Sequence, residues 1–242
     1  MIWSEWITQV ADLLDIAATI TNAALAAPST DPNFNNILPA AVYTTELRIQ
    51  RDLDLINTYV TDETGTLTIN NRKFALPTGK GTYVVVTQVY PIVSGVRQAP
   101  LLPVSLEAIN AFYPSDTSLT PAPSYPVYWA PNDGVSILVG PAGDAAYGVG
   151  VVGTQRFVPL SASNTSNFLT LQMPDVYLAA SMKFMFESYQ RDGAPSADDP
   201  IQASNWERTY TTLMKPAFIE EKRKFFQSVG ANGRLPPPQP QL

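Results

Sequence analysis

The segment from residue 173 to residue 193 reads MPDVYLAASMKFMFESYQRDG. Pro174 suits the first position of a helix, because a proline nitrogen has no hydrogen that would be left unpaired there. Apolar side chains then recur at helical spacing, at Val176, Ala179, Ala180, Met182, Met185, Phe186 and Tyr189. Gly193 is a natural carboxyl-terminal cap. The pattern predicts a helix whose apolar stripe must be covered by other helices.

A matching stripe lies near the other end of the chain. Apolar residues recur there with the helical repeat, at Trp3, Trp6, Ile7, Val10, Leu13, Leu14, Ala17 and Ile20. Ser4 is the predicted N-cap of this helix. After a loop over residues 28–37, a second helix is predicted to start at Pro39 and to end near Tyr59.

The last predicted helix runs from about Ile201 towards Phe226 and ends near Gly230. Its apolar face is predicted to contain Trp206, Tyr210, Leu213, Ala217 and Ile219. Pro216 should kink or split it, because proline removes a helical hydrogen bond. Because the stripes at both ends of the chain need burial, we expect the first two and the last two helices to form one bundle.

The middle of the chain has the features of strands. Residues 82–93 form a valine-rich run, and residues 147–158 supply another long strand. Asn132-Asp133-Gly134 is a strong hairpin turn between two further strands. Ser105 should cap a short helix that stops before Pro114.

The order of these segments predicts an α+β fold. Residues 1–60 and 165–230 are predicted to form the helical bundle, and residues 61–164 an inserted antiparallel β domain. Residues 231–242 are predicted to be an extended carboxyl-terminal arm, since a proline-rich segment favours the polyproline conformation.

The composition argues against most enzyme chemistry. The 242 residues include neither histidine nor cysteine, which excludes Ser-His-Asp triads, Cys-His pairs, the usual zinc sites and disulfides. Gly79-Lys80-Gly81-Thr82 resembles a phosphate-binding loop, but Phe74 stands where that motif needs a glycine. We predict that the protein is not an enzyme and needs no cofactor or metal.

Paired carboxylates also have simpler explanations than catalysis. Neighbours in sequence do not face each other across a cleft, as the two acids of a glycosidase must. Asp198-Asp199 precedes a predicted helix and can cap it. Glu220-Glu221 stands before Lys222, Arg223 and Lys224, so we expect a solvated helix face of mixed charge.

The chain contains few charged residues, and its net charge is negative. Charged residues make up 15% of the chain, against roughly 25% in an average globular protein. Either other subunits cover much of the surface, or the surface is polar but uncharged. The net charge of −6 argues against a grip on nucleic acid. No segment approaches a membrane span of about 20 apolar residues, and Met1 to Glu5 lacks the basic start of a signal peptide, so we expect a soluble protein without membrane contact.

Five segments resemble, in order, the head-to-tail adaptor (connector) proteins of tailed bacteriophages, of the tail tubular protein A type. They are Trp3–Leu14, Glu46–Leu53, Phe74–Pro77, Val135–Pro141 and Asn167–Leu178. The last is the closest match, resembling the family's "Asn-x-Leu, then Pro-Asp-x-Tyr-Leu" entry to its third helix. The long, proline-rich stretch over residues 114–126 and the proline-rich arm depart from the pattern.

The resemblance implies a structural virion protein of the phage neck or tail, assembled in the host cytoplasm. About twelve copies would form a ring below the portal protein and above a tail or nozzle protein. The carboxyl-terminal segment would grip the portal. DNA would pass through the ring's channel without specific binding, which suits an acidic chain.

Two groups of residues are the candidate sites. The portal-binding arm is predicted to include Lys222, Arg223, Lys224, Phe225, Phe226, Arg234, Leu235, Pro236, Pro237, Pro238 and Leu242. The predicted structural or subunit-contact charges are Glu46, Arg48, Arg51 and Asp52. For the arm, the alternative is a tail without a role.

Two other functions compete with the adaptor. One is a virion β-sandwich module that binds a receptor or carbohydrate, which the strand-rich middle with Tyr125, Tyr128 and Trp129 favours. The long helices at both ends argue against it. A carboxylate-based hydrolase is the less favoured alternative.

Overall fold

The computed structural model of the chain describes residues 1–16, 28–114, 122–189 and 200–232, with the backbone alone for residues 225–232. The chain forms two compact units. The helical unit comprises Met1–Ile56 and Pro159–Leu242, and the β unit comprises Asn57–Val158. Gly193, the Asp198-Asp199 pair and the end of the first predicted helix, residues 17–20, lie outside the described residues. The helix that Gly193 was predicted to cap ends earlier, at Ser188 with Tyr189 as its C-cap, so that prediction is wrong.

Helices and strands follow the predicted α+β order, and that fold class is confirmed. The helices are α1 (Trp3–Leu13), α2 (Pro32–Asp52), α3 (Leu106–Phe112), α4 (Phe168–Gln172), α5 (Pro174–Ser188) and α6 (Pro200–Asn232). The strands are β1 (Tyr59–Leu67), β2 (Lys73–Ala75), β3 (Thr82–Val93), β4 (Val96–Arg97), β5 (Leu102–Pro103), β6 (Tyr128–Pro131), β7 (Ser136–Gly140) and β8 (Tyr147–Arg156).

The start of α1 differs from the predicted cap at Ser4. The N-cap position is Ile2, and its backbone N–H donates to the carboxylate of Glu5 at 2.8 Å. Glu5 therefore pairs with a backbone N–H at the start of the helix, and its side chain is long enough to reach back to that group. Ser4 lies inside the helix and not at its cap position.

The second helix begins seven residues before the predicted Pro39, so residues 32–37 are helical and not a loop. Asp31 caps it, accepting hydrogen bonds from the backbone N–H groups of Asn33 (2.8 Å) and Phe34 (3.3 Å), and Pro32 occupies the first turn. A capping aspartate followed by proline is a stronger start signal than a lone proline. The helix ends at Asp52, not near Tyr59, which opens β1.

Within the helical unit, α1 packs on α5 through aromatic side chains. The Trp6 side chain is fully buried, and its indole Nε1 donates to Ser181 Oγ at 3.1 Å. Its ring meets that of Tyr177 edge-on, with 6.0 Å between ring centroids. The helices from the two ends of the chain therefore share one core.

The β unit contains two four-stranded sheets, ordered β1-β8-β3-β4 and β2-β7-β6-β5. The predicted hairpin around Asn132-Asp133-Gly134 is confirmed as β6 and β7, and the predicted strand over residues 82–93 is β3. The pairing is antiparallel except between β5 and β6, which differs from the expected all-antiparallel domain. Parallel neighbours need a crossover connection, and the segment between these two strands contains α3.

Both sheets contribute to the core of the β unit. It consists of Leu67, Phe74, Leu76, Tyr83, Val89, Leu101, Trp129, Ile137, Val139, Val149 and Val151. Close packing between strands requires Gly150, since a Cβ there would come within 2.3 Å of the Tyr90 ring.

Arg72 is also buried, and its guanidinium donates to backbone oxygens at the end of α3, including those of Ile109 and Tyr113. The Ile109 carbonyl also accepts the backbone N–H of Tyr113 at 2.9 Å, so Arg72 adds further donors at the carboxyl-terminal end of α3.

Replacing Trp6 with alanine should lower the free energy of unfolding by about 3–5 kcal/mol, because it leaves a large cavity between α1 and α5. Urea unfolding followed by circular dichroism measures the change. Leu13→Ala on the same helix is the control, since Leu13 is exposed and its truncation should cost less than about 1 kcal/mol. Equal losses for the two variants would contradict the packing described here.

Candidate partner-binding surface

Helix α6 is one continuous helix of 33 residues, although Pro216 lies inside it. Pro216 therefore does not split it, contrary to one of the two predicted outcomes. Among the side chains of α6 that the structure describes, those of residues 200–224, the buried ones are Ala203, Tyr210, Ala217 and Glu221. Their spacing of seven, seven and four residues forms a stripe along one side of the helix. This stripe packs against the rest of the helical unit, and the other sides of α6 face outward.

Apolar residues also lie on the outer sides of α6. Ile201 is 72% exposed, and Phe218 and Ile219 are exposed as well. Of these residues, Ile219 was predicted to lie on the apolar face of the helix, and that prediction is wrong. Its spacing from Ala217 and Glu221 places it off the buried stripe, which the sequence alone could have shown. Lys222 Nζ lies 4.4 Å from the centroid of the Phe218 ring, so cationic and aromatic groups meet on this surface.

Only one half of the acidic pair beside the basic run lies on the predicted solvated face, since Glu220 is exposed and Glu221 is buried. Glu221 is only 2% exposed, and its carboxylate accepts a hydrogen bond from Lys224 Nζ at 2.5 Å and one from the backbone N–H of Ile56 at 3.4 Å. Lys224 Nζ also lies 3.2 Å from Glu220. The bond to Glu221 is the main reason that the pKa of Lys224 is raised. Lys224 therefore holds a buried acid, whereas its neighbours Lys222 and Arg223 are exposed.

The rest of the predicted arm is described only in part. The backbone at Phe225 and Phe226 is helical, and their side chains are not described. Helix α6 ends at Asn232, two residues beyond the predicted end at Gly230. The remaining arm residues, Arg234, Leu235, Pro236, Pro237, Pro238 and Leu242, lie outside the described residues.

Two of the predicted charges on α2 form an ionic cluster with α6. The Arg48 guanidinium binds the Glu207 carboxylate through two nitrogens, at 2.8 and 2.6 Å. It also lies 4.0 Å from the centroid of the Tyr210 ring, whose hydroxyl donates to Asp52 at 2.7 Å. This pairing raises the pKa of Arg48 and lowers that of Glu207. Glu207 was not singled out from the sequence, because its partner is 159 residues away. Arg51 is exposed.

Glu46, the fourth predicted charge, is buried. It is 4% exposed, and its Oε1 accepts from Leu160 N (2.9 Å), Asn167 Nδ2 (2.6 Å) and Tyr177 Oη (3.4 Å). Burial raises the pKa of Glu46 from 4.5 to about 7, against the hydrogen bonds, which lower it. Glu46, Arg48 and Asp52 thus hold the helical unit together. Their role in contacts between subunits stays a prediction.

Replacing Arg48 with lysine should lower the free energy of unfolding by about 1 kcal/mol, because lysine cannot make the two-nitrogen contact with Glu207. Thermal unfolding measures the effect. Arg51→Lys is the matched control on the next turn of α2 and should change nothing. A loss for Arg51→Lys as large as that for Arg48→Lys would contradict this role.

Glu46 should make stability depend on pH near neutrality. Its folded pKa of about 7 lies above the unfolded value of 4.5, so the folded state holds the proton more tightly. Its stabilising contribution is complete below pH 4.5 and is lost as the pH rises through 7. Glu46→Gln cannot titrate, so between pH 5 and pH 8 its unfolding free energy should gain about 2–3 kcal/mol relative to the wild type. Urea unfolding at several pH values measures this difference.

Asp12→Asn provides the control for this titration, because Asp12 is an exposed carboxylate on α1. Its unfolding free energy should keep a constant offset from the wild type between pH 5 and pH 8. If Glu46→Gln also kept a constant offset, the raised pKa of Glu46 would be wrong.

The described residues contain no group of three or more acidic side chains placed to bind a metal. Across the same residues, every helix is too short or too polar to cross a membrane.

Comparison with known proteins identifies the family. A search of curated proteins finds no match. A family model described as SU10 adaptor protein matches residues 1–230. The match includes residues of both units and nearly all of α6, so it is not confined to one motif. The chain therefore belongs to the SU10 adaptor protein family, a family of structural adaptors of bacteriophages.

Proposed function

We propose that this chain is a subunit of a ring that joins the portal protein of a phage head to the tail. About twelve copies form the ring in the virion neck, with a tail or nozzle protein below. Membership of a phage adaptor family supports this assignment, as does the sequence resemblance to adaptors of the tail tubular protein A type.

The length of α6 is the observation that carries the proposal. At 1.5 Å per residue, its 33 residues span about 50 Å, whereas the 15 residues of α5 span about 22 Å. The last buried side chain described in α6 is Glu221, and exposed Lys222 and Arg223 follow. A basic run in this outer part of the helix, followed further along the chain by a proline-rich segment, is suited to reach a partner and bind an acidic groove on it.

The surface composition supports repeated subunit contacts. Exposed Ile201, Phe218 and Ile219 give the outer sides of α6 apolar contact area. A ring closed by rotation uses two different surfaces of each subunit. The net charge of −6 disfavours binding of the phosphate backbone, which suits a channel through which DNA moves.

The purified chain mixed with its portal should form a complex that contains about twelve copies of the 26.4 kDa subunit. Native mass spectrometry of the chain alone, the portal alone and the mixture measures this directly. A mixture that shows only the two separate species would overturn the proposal.

Removal of residues 233–242 should abolish portal binding, and Lys222→Ala combined with Arg223→Ala should weaken it at least tenfold, with a larger effect at low salt. Co-sedimentation measures binding, and circular dichroism checks that the helices are intact. Lys215→Ala is the matched control, since Lys215 is also exposed on α6. Normal binding by both the truncated and the doubly substituted chain would exclude this segment as the grip.

A further inference from the structure

Helix α1 presents an acidic outward side. The first 47 residues of the chain contain no lysine or arginine, and α1 lies within them. Its exposed side chains include Glu5 and Asp12, which are seven residues apart and so lie on one side of the helix, and exposed Asp15 follows its end. Glu5 caps the helix, whereas the carboxylates of Asp12 and Asp15 have no hydrogen-bond or ion-pair partner among the described residues. These two carboxylates are free to bind a basic group.

The outward side of α6 is basic and partly apolar. Arg208 is exposed, and its guanidinium has no hydrogen-bond or ion-pair partner among the residues that the structure describes. Ile201, which is 72% exposed, precedes Arg208 by seven residues, so the two side chains lie on the same side of the helix. Lys222 lies about 21 Å further along the helix axis, at 1.5 Å per residue. The stretch from Ile201 to Arg208 is therefore separate from the basic run that the proposed function assigns to the portal.

Helix α5 lies between α1 and α6, so these two outward sides do not meet within one copy. Ser181 of α5 accepts the hydrogen bond from Trp6 of α1. Lys183 follows Ser181 by two residues, which is about 200° round a helix. The pKa of Glu207 on α6 is lowered chiefly by Arg48 and also by the charge of Lys183, so Lys183 faces α6. Helices α1 and α6 therefore pack on different sides of α5, and their outward sides face in different directions.

We propose that α1 of one copy of this chain binds α6 of the next copy, with Asp12 paired to Arg208 and Ile201 adding apolar contact area. The inference rests on the proposed ring and names two surfaces through which neighbouring copies meet. Every copy carries both surfaces, so identical chains can join head to tail. Contacts between two α1 helices or between two α6 helices would place like charges opposite each other. The charges therefore favour the head-to-tail arrangement over a symmetric pair.

Charge exchange tests the pairing of Asp12 with Arg208. Asp12→Lys and Arg208→Glu each place like charges opposite each other, so either variant alone should self-associate at least tenfold more weakly than the wild type. In an equimolar mixture, the new lysine of one variant meets the new glutamate of the other, and the two unchanged partners meet at the alternate contacts. Association should then return to within about threefold of the wild type. Sedimentation velocity over a concentration series at low salt measures it.

Variants that keep the charges are the matched controls. Arg208→Lys and Asp12→Glu should associate within about threefold of the wild type. Added salt should weaken association of the wild type, because it screens exposed charges. Circular dichroism checks that each variant is folded, so that a loss of association is assigned to the contact.

Cross-linking locates the contact directly, because the chain contains no cysteine of its own. Chains with Asp12→Cys and Arg208→Cys, distinguished by a tag, are mixed and treated with a short bismaleimide, with and without the portal. A dimer that contains one chain of each kind should form at least tenfold more than a dimer of either kind alone. Asp144→Cys mixed with Arg208→Cys measures random collisions, since Asp144 is exposed in the β unit. The portal is included so that a ring that forms only there is also detected.

Two results would overturn the proposal. One is a mixture of the two charge-exchanged variants that associates no better than either variant alone. The other is a mixed cross-link between positions 12 and 208 that is no stronger than the one measured for random collisions. If the wild type still formed its twelve-copy complex with the portal, the ring would stand and only this contact would be wrong. If no such complex formed, the proposed function itself would fail.

Discussion

The carboxylate of Glu46 joins parts of the helical unit that are far apart in the sequence. Its donors are 114, 121 and 131 residues away, beyond the whole β unit. A buried carboxylate is costly unless donors surround it. Helices α2 and α5 and the segment that contains Leu160 and Asn167 must therefore be in place together. This single oxygen ties the first part of the chain to the last.

Other hydrogen bonds also connect helices from the two ends of the chain. Trp6 donates to Ser181, Tyr189 to Asp31 at 2.6 Å, and Tyr210 to Asp52. Each donor has a buried apolar ring and a polar tip, so one side chain supplies both packing and a directed bond. If one helix slipped by a turn, these polar tips would be buried without partners. The hydrogen bonds therefore fix the register in which the helices pack.

What could be predicted from the sequence was local. Pro174 and the Ser105 cap act on their own turns of helix, and their helices begin where they were predicted to begin. Buried Glu221 accepts a hydrogen bond from the backbone of Ile56, which is 165 residues away, and no local pattern shows such a partner. The candidate binding surface likewise has features that the sequence predicts and features that only the structure shows. The basic run from Lys222 to Lys224 is visible in the sequence, but only the structure shows that Lys224 is held by Glu221 and Glu220 while its two neighbours are exposed.

Contacts within the helical unit also explain where several of the few charged residues lie. Six of the charged residues in the helical unit, Glu46, Arg48, Asp52, Glu207, Glu221 and Lys224, take part in contacts within that unit. The outer sides of α6 carry exposed charges, among them Arg208, Lys215 and Lys222. Beside these charges they present Ile201, Phe218 and Ile219. Apolar surface beside a short basic run is better suited to lasting contact with other subunits than to solvent, which is the condition of a structural adaptor.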